Sequence, residues 1–172
     1  DFATLEDLNG HYLRNAPALE LLQRVEELLP FLDDGAHILS RLDANTRANL
    51  LAAMPGLKER AKTLRELVDG ARFLFADRPL ALDDKAAALL DAAAREKLKA
   101  LLPKLEAASE WQAAELEGIV RAYAEETGAK LGKVAQPLRA ALTGKLVSPP
   151  VFDVMAVLGR EEALARIGDQ AA

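Results

Sequence analysis

Cysteine is absent from this sequence of 172 residues, which excludes disulfide bonds, thiolate metal sites and thiol nucleophiles. Charged residues interrupt every apolar run well before the roughly 20 residues that a membrane span needs. The first part of the chain also lacks the basic segment followed by an apolar segment that marks a secretory signal. These absences predict a soluble, cytoplasmic protein that neither enters a membrane nor is secreted.

Recognisable catalytic patterns are missing as well. His11 and His37 are the only histidines, and neither belongs to a motif of metal-site form. There is no glycine-rich phosphate loop and no serine in an elbow motif, and the many carboxylates are typical of solvated helix faces. We therefore expect no catalytic residue, metal site or cofactor here. Because residue 1 is an aspartate and only two methionines occur, we expect the sequence to begin within a longer polypeptide.

The formal net charge is −5, which disfavours indiscriminate binding of nucleic acids such as DNA, because counterion release rewards clustered lysine and arginine. The distribution of charge is uneven along the chain. Acidic residues dominate the N-terminal part, whereas the segment 127–152 contains no acid and four bases, Lys130, Lys133, Arg139 and Lys145. This segment is expected to present a locally positive face.

Alanine and leucine are abundant, β-branched and aromatic residues are few, and no long segment alternates with period two, so the sequence predicts an all-α fold. The segment 76–84 carries a proline and turn-forming aspartates, which favour a boundary there. We therefore expect two consecutive helical subdomains, residues 1–76 and 77–172. The predicted helices span residues 17–29, 36–53, 57–75, 83–102, 109–126, 133–143, 151–158 and 161–167.

Capping residues support several of these boundaries. Asn15 and Asp83 are expected to cap helices at their N-termini, and the segment from Ser109 to Gln112 has the form of a capping box. Glycine and proline mark the opposite ends, because neither continues a helix easily. Helix ends are expected at Pro55-Gly56, Gly128 and Gly144.

The predicted helix 57–75 carries two rows of side chains. Its apolar stripe repeats at spacings of four and three residues and is expected to face the core. A charged row lies about 100° away round the helix, and Arg60 falls between the rows, so its stem is expected to be buried and its head group aimed. The stripe consists of Leu57, Ala61, Leu64, Val68, Ala71 and Phe75, and the charged row of Lys58, Lys62, Arg65, Asp69 and Arg72.

Polar residues are few in the segment 133–150, and some of them are regularly spaced. On a helix, Gln136, Arg139 and Thr143 lie on one side. An amide beside a guanidinium can read the Watson–Crick edge of an unpaired base, but this spacing is more often that of a solvated helix face, and spacing alone leaves both interpretations open. Pro137 leaves a second alternative open. It lies either in the first helical turn, where its missing N–H costs nothing, or deeper, where it kinks the helix.

The run KLGKVAQPLRAALTG at 130–144, followed by Ser148-Pro149 and by FDVMAVLGREEALARI at 152–167, closely resembles the C-terminal end of bacterial glutamyl-tRNA synthetases. Two weaker matches agree in order. LNGHYLR at 8–14 resembles the family's segment just past the catalytic half, and ERAKTL at 59–64 together with ARFLF at 71–75 resembles its middle. The resemblance therefore covers almost the whole chain.

This resemblance implies the anticodon-binding part of a class I aminoacyl-tRNA synthetase, built as two helical subdomains of the α-helix cage type, with tRNA for glutamate as its partner. Enzymes of that family activate glutamate with ATP and Mg²⁺ on an N-terminal Rossmann domain, which carries His-Ile-Gly-His-like and Lys-Met-Ser-Lys-Ser-like motifs. Neither motif occurs in this sequence. The resemblance thus implies a glutamate–tRNA ligase as the parent enzyme and a non-catalytic, monomeric RNA-binding portion here.

Matched position by position, the resemblance assigns RNA-binding roles. Arg139 corresponds to a family arginine that contacts the first anticodon base, and Ser148 and Val151 fall where the pocket for that base is lined. Arg60 corresponds to a position that contacts the third base, where an arginine is associated with accepting tRNA for glutamate and rejecting tRNA for glutamine. The remaining expected RNA-binding residues are Gln136 beside Arg139, Lys133 and, for phosphates, Lys58, Lys62 and Arg65.

The sequence departs from the family at one point. Where the family commonly has Ser or Thr followed by Pro-Gly before the last helix, this chain has Ser148-Pro149-Pro150, so the loop is stiffer and lacks one backbone N–H that could contact a base. Two alternative functions from other classes remain open. One is a helical protein-interaction module, which the acidic balance and the leucine- and alanine-rich faces favour. The other is an independent enzyme, which only the family name suggests.

Overall fold

Helices form nearly all of the computed structural model, which describes Leu5 and residues 8–172. Eleven α-helices lie within these residues: α1 (Gly10–Asn15), α2 (Ala18–Leu28), α3 (Gly35–Arg41), α4 (Ala44–Arg60), α5 (Leu64–Ala71), α6 (Asp84–Leu89), α7 (Ala92–Glu106), α8 (Ala113–Thr127), α9 (Leu131–Thr143), α10 (Val151–Leu158) and α11 (Arg160–Ala171). Short 3₁₀ helices follow α2 and α5, at Leu29–Phe31 and Arg72–Phe75. Among the described residues the only β pairing is an isolated bridge between Asn9 and Thr63. The all-α prediction is confirmed.

The chain divides into two compact units, Asp1–Ala76 and Asp77–Ala172. In the first unit, α4 is the central helix and packs against α1, α2 and α5. Its buried residues include Leu50 and Met54, which are fully shielded from solvent. The assignment of a separate RNA-binding role to each unit stays a prediction.

The predicted helix 36–53 is wrong in both extent and continuity. It is divided into α3 and α4 because Asp43 starts a new helix with a reciprocal capping box, in which its carboxylate accepts the Thr46 amide at 2.9 Å and its own amide donates to the Thr46 hydroxyl at 2.8 Å. Pro55-Gly56 does not stop the helix, which continues to Arg60. Buried residues on both sides of the proline keep packing, and tertiary packing outweighs the lost hydrogen bond.

The predicted helix 57–75 is likewise not continuous. The chain leaves the helix after Arg60 and re-enters one at Leu64, where the Thr63 hydroxyl accepts the Glu66 amide at 3.1 Å as an N-cap. All members of the predicted apolar stripe are nevertheless buried. The stripe was therefore correctly identified as core, although two helices and a 3₁₀ turn supply it.

Asn15 does not cap α2 as predicted. It is the last residue of α1, where its side-chain amide donates to the His11 carbonyl at 2.7 Å. The N-cap of α2 is Pro17, without a side-chain hydrogen bond, and Asn9 caps α1 by accepting the Tyr12 amide at 3.1 Å.

The second unit is assembled around α9, which packs against each of the other five helices of that unit. Seven of its 13 residues are buried, including Leu138 and Leu142. Pro137 is the seventh residue of the helix and is itself buried. This position settles the alternative left by the sequence, because the proline lies well beyond the first turn.

The predicted helix 83–102 is divided into α6 and α7. Asp83 caps α6 as predicted, but Asp91 caps a second helix by accepting the Ala94 amide at 2.8 Å. Helix α7 continues through Pro103 to Glu106. A strong N-cap inside an alanine-rich run thus ends one helix and starts another.

The predicted capping box at Ser109 is wrong. Helix α8 begins at Ala113, and its N-cap Gln112 makes no side-chain cap bond. The Ser109 hydroxyl donates instead to the Glu115 carboxylate at 2.7 Å. The predicted C-terminal caps Gly128 and Gly144 are confirmed, since both adopt left-handed conformations, with φ of 71° and 77°.

Polar contacts hold the last helix, α11, in place. Arg166 is only 2% exposed, and its guanidinium donates to the Leu142 carbonyl at the end of α9 at 2.7 Å and to Glu162 at 2.6 Å. Arg95 of α7 donates to the Gln170 carbonyl at 2.8 Å. The ends of α7, α9 and α11 are thereby tied together. No helix in the described part of the chain is long and apolar enough to cross a membrane.

Candidate nucleic-acid interface

Three half-buried polar residues share one side of α9: Gln136, Arg139 and Thr143. The Arg139 Nε donates to the Ser148 hydroxyl at 2.9 Å, and its Nη1 donates to the side-chain carbonyl of Gln136. The Gln136 Nε2 in turn lies 3.5 Å from the Leu146 carbonyl oxygen. The structure thus brings together Gln136, Arg139 and Ser148, three of the predicted RNA-binding residues.

Thr143 joins the end of α9 to the following loop. Its hydroxyl oxygen lies 2.8 Å from the Arg139 carbonyl oxygen, 3.1 Å from the Lys145 carbonyl oxygen and 3.2 Å from the Lys145 amide nitrogen. A single short side chain therefore contacts the backbone on both sides of the helix end. The loop leaves α9 in a defined direction.

Gly144 occupies a position that requires glycine for two reasons. Its φ of 77° is left-handed, and a Cβ placed there would lie 2.3 Å from the Ala81 carbonyl oxygen. Its own carbonyl accepts the Asp83 amide at 3.0 Å. The segment before α6 is thus pressed against the turn that leads into the loop of Ser148.

The predicted pocket residues continue into α10. The Ser148 hydroxyl donates to the Pro149 carbonyl at 2.7 Å, and Val151, the first residue of α10, is buried. Pro150 is the N-cap of α10. Because the N–H of an N-cap residue takes no part in the helical ladder, the proline costs α10 no hydrogen bond. Its effect on base readout stays a prediction.

An open depression of about 410 Å³ lies beside the Ser148 loop. Val147, 78% exposed, and Lys145 form part of its lining from the loop, and Lys85 contributes from α6. Asp83 and Asp84 also line it, so both signs of charge are present. Lys133, elsewhere on α9, is exposed one helical turn before Gln136.

In the first unit, the expected burial of Arg60 is wrong. Arg60 is exposed at the last position of α4, with its Nη1 3.4 Å from the Gly56 carbonyl oxygen. Lys58 is the more buried of the two, and its ammonium donates to the Ala16 carbonyl at 3.0 Å. Arg60 was expected between the apolar stripe and the charged row of a single helix 57–75. Because the helix ends at Arg60 and a new one begins at Leu64, that expectation does not apply.

The predicted charged row is therefore not one helical face. Lys62 lies between α4 and α5, and Arg65 lies on α5; both are exposed. Arg72 is engaged with two carboxylates, Asp34 and Asp69. Only part of the row remains as an exposed basic surface.

Two tertiary features of the site have no signal in the local sequence. One is the hydrogen bond between Asp83 and Gly144, and the other is the depression that Lys85 and Lys145 both line; each involves residues far apart in the chain. Local spacing carries no signal for such contacts, although both Asp83 and Gly144 were predicted as caps. Among the described residues, no group of three or more histidine or acidic side chains is arranged to hold a metal ion.

Comparison with known families gives the family of the chain. Residues 20–171 match the model of a family described as an anticodon binding domain. The chain belongs to this family. The resemblance predicted from the sequence is confirmed at this level.

The relatives of this anticodon-binding domain are considerably longer. It is 61% identical to glutamate–tRNA ligase 1 of Beijerinckia indica over 171 residues, which are 99% of this chain. It is 62% identical to glutamate–tRNA ligase 1 of Xanthobacter autotrophicus over 172 residues, which are 100% of this chain. In both cases it spans only 36% of the relative.

The structure of a glutamate-tRNA synthetase from Elizabethkingia anophelis is similar to this chain, with 25% sequence identity and a TM-score of 0.70. The match covers 95% of this chain and 30% of the synthetase chain. A glutamate tRNA ligase structure from Elizabethkingia meningosepticum matches with 24% identity and a TM-score of 0.75. This second likeness shows a shared fold.

Proposed function

We propose that this anticodon-binding domain recognises tRNA for glutamate and so directs glutamate–tRNA ligation by a ligase of which it forms part. The observation that carries the proposal is the cluster of Arg139, Gln136 and Ser148. It stands in a chain about 60% identical throughout to glutamate–tRNA ligases. The domain itself contributes recognition and no catalytic group.

The chemistry of a guanidinium suits a cytosine at the first anticodon position. Cytosine presents two neighbouring acceptors, O2 and N3, on its Watson–Crick edge, whereas guanine presents a single acceptor there. The planar fork of the Arg139 guanidinium presents paired N–H donors, which match such paired acceptors. Arg139 therefore favours cytosine over guanine, with Ser148 and Val151 lining the base pocket.

In the first unit we assign the third anticodon base to Arg60. Its exposed position at the end of α4 leaves the side chain accessible to RNA. Lys62 and Arg65, both exposed, are assigned to phosphates together with Lys133 of the second unit. Lys58 is reassigned to a structural role, because its ammonium is bound to the Ala16 carbonyl.

The chemical step belongs to the remainder of the ligase. There, ATP and Mg²⁺ would activate glutamate, and we propose that the isolated domain has no glutamate-dependent ATP turnover. We also propose that it acts in the cytoplasm as a monomer and has no specific affinity for DNA.

The test is a titration of the purified domain with tRNA for glutamate and with versions altered at the first or third anticodon base. Arg139→Gln should remove the preference at the first base and Arg60→Gln that at the third, each costing about 1–3 kcal/mol of binding free energy, by analogy with base contacts in DNA grooves. Arg121→Gln is the matched control, because Arg121 is an exposed arginine in a surface ion pair with Glu117. Equal binding of normal and altered tRNA would refute the proposal.

A further inference from the structure

We propose that Gln136 is a positioning residue, which holds the Arg139 guanidinium in place and reads no base itself. This inference rests on the proposed function of Arg139. It replaces the expectation from sequence that the amide and the guanidinium lie side by side as two base readers.

The amide of Gln136 is directed at the protein through both of its polar ends. Its carbonyl oxygen accepts from Arg139 Nη1, and its nitrogen lies 3.5 Å from the Leu146 carbonyl oxygen. A base reader has to present a donor or acceptor to the ligand, whereas this amide bridges α9 and the loop. Gln136 is also half-buried.

Arg139 is consequently held by two different parts of the chain. Gln136, one helical turn earlier, contacts its Nη1, and Ser148, in the loop, contacts its Nε at 2.9 Å. An arginine side chain has many rotamers to lose on binding, and a guanidinium already fixed in the free protein loses fewer. Gln136 therefore increases affinity by fixing Arg139 beforehand.

A residue that acts through Arg139 has a specific signature. Its removal should weaken binding only where Arg139 makes a productive contact, namely with the matching first anticodon base. Immobilising one side chain accounts for roughly a 3- to 10-fold change in affinity. In a protein that already lacks the Arg139 guanidinium, the loss of Gln136 should change nothing.

The experiment measures dissociation constants of four proteins, the wild type, Gln136→Leu, Arg139→Gln and the double variant, for two anticodon stem-loops with cytosine or guanine at the first anticodon position. We expect Gln136→Leu to weaken binding of the cytosine RNA about 3- to 10-fold and to leave the guanine RNA within twofold. The double variant should match Arg139→Gln within about twofold. Gln112→Leu is the control, because Gln112 is exposed and makes no side-chain cap bond.

An RNA-free measurement separates this inference from the proposed function. The ¹⁵N relaxation of the Arg139 Nε–H group should report a rigid side chain in the wild type and a more mobile one in Gln136→Leu. If Gln136→Leu weakens the Arg139→Gln protein as much as the wild type, or leaves Arg139 equally rigid, the positioning role is overturned. If the side chain loosens as expected but Arg139→Gln binds both RNAs like the wild type, the positioning stands and the proposed function fails.

Discussion

At the scale of single residues, the site is built from hydrogen bonds that connect α9 with the loop behind it. The spacing of Gln136 and Arg139 was visible in the sequence, and it correctly placed them as neighbours. The orientation of the Gln136 amide was not visible, because the amide nitrogen lies beside the Leu146 carbonyl. The path of that loop depends on tertiary contacts such as the hydrogen bond between Asp83 and Gly144. A spacing rule predicts which side chains meet; it does not predict which atoms they present.

The requirement for glycine at position 144 can be measured against a matched glycine. Gly144 and Gly128 both end helices with left-handed φ, but only at Gly144 would a Cβ meet backbone, whereas none lies within 4 Å of one at Gly128. Gly128→Ala should cost about 1 kcal/mol of unfolding free energy from backbone strain alone. Gly144→Ala should cost about 1–3 kcal/mol more, because the Ala81 segment has to move.

Urea unfolding of both glycine variants provides the measurement. Equal destabilisation of the two would mean that the turn relaxes freely away from Ala81 and that the close approach has no energetic consequence. A larger loss for Gly144→Ala would show that the segment before α6 supports the loop of Ser148.

At the scale of elements, the sequence predicts the helical periodicity but not the positions where the helices break. Asp43, Thr63 and Asp91 each start a new helix inside a run that was predicted to be continuous. All are good N-cap residues, but Asp and Thr also occur on exposed helix faces, so the local sequence does not distinguish the two uses. In the structure, the side chains of all three accept backbone amides as N-caps, and a new helix begins at each of them.

The start of α8 gives an element-scale prediction about pH. The Ser109 hydroxyl, and after it the Glu110 amide, hydrogen-bond to the Glu115 carboxylate and lower its pKa below the usual value of 4.5. A lowered pKa in the folded state stabilises the protein above pH 4.5, and that stabilisation is lost as the pH falls through and below this value. Glu115→Gln should therefore lower the melting temperature at pH 7 and flatten its decline below pH 4.5.

Thermal melts between pH 3 and pH 7 provide the check. Glu125→Gln, an exposed carboxylate of the same helix, controls for the loss of one charge. If wild type and Glu115→Gln show parallel melting curves across this range, the carboxylate does not hold the turn before α8.

At the scale of the whole molecule, recognition has to work against a net charge of −5. The exposed bases assigned to phosphates are few, namely Lys62, Arg65 and Lys133. With about three phosphate contacts, the slope of log K against log salt concentration should be roughly −2 to −3. Most of the selectivity is then expected to come from base contacts.

Titration of the domain with tRNA for glutamate between 50 and 200 mM salt measures this slope. A slope steeper than about −6 would mean that many more phosphates are neutralised than these three bases can contact. Arg139→Gln should lower the affinity and leave the slope nearly unchanged, whereas Lys133→Gln should reduce the slope by about 1.

The sequence by itself determined the helical class, the buried stripe, the glycine caps at 128 and 144, and the family, because each is encoded in residue types at short spacing. Only the tertiary structure decided where the long helices break, that Lys58 is bound to a carbonyl and Arg60 is exposed, and which atoms surround Arg139. Those features depend on contacts between residues distant in the chain, such as Asp83 with Gly144. Short-range patterns do not record such contacts, and packing selects among the local conformations that those patterns allow.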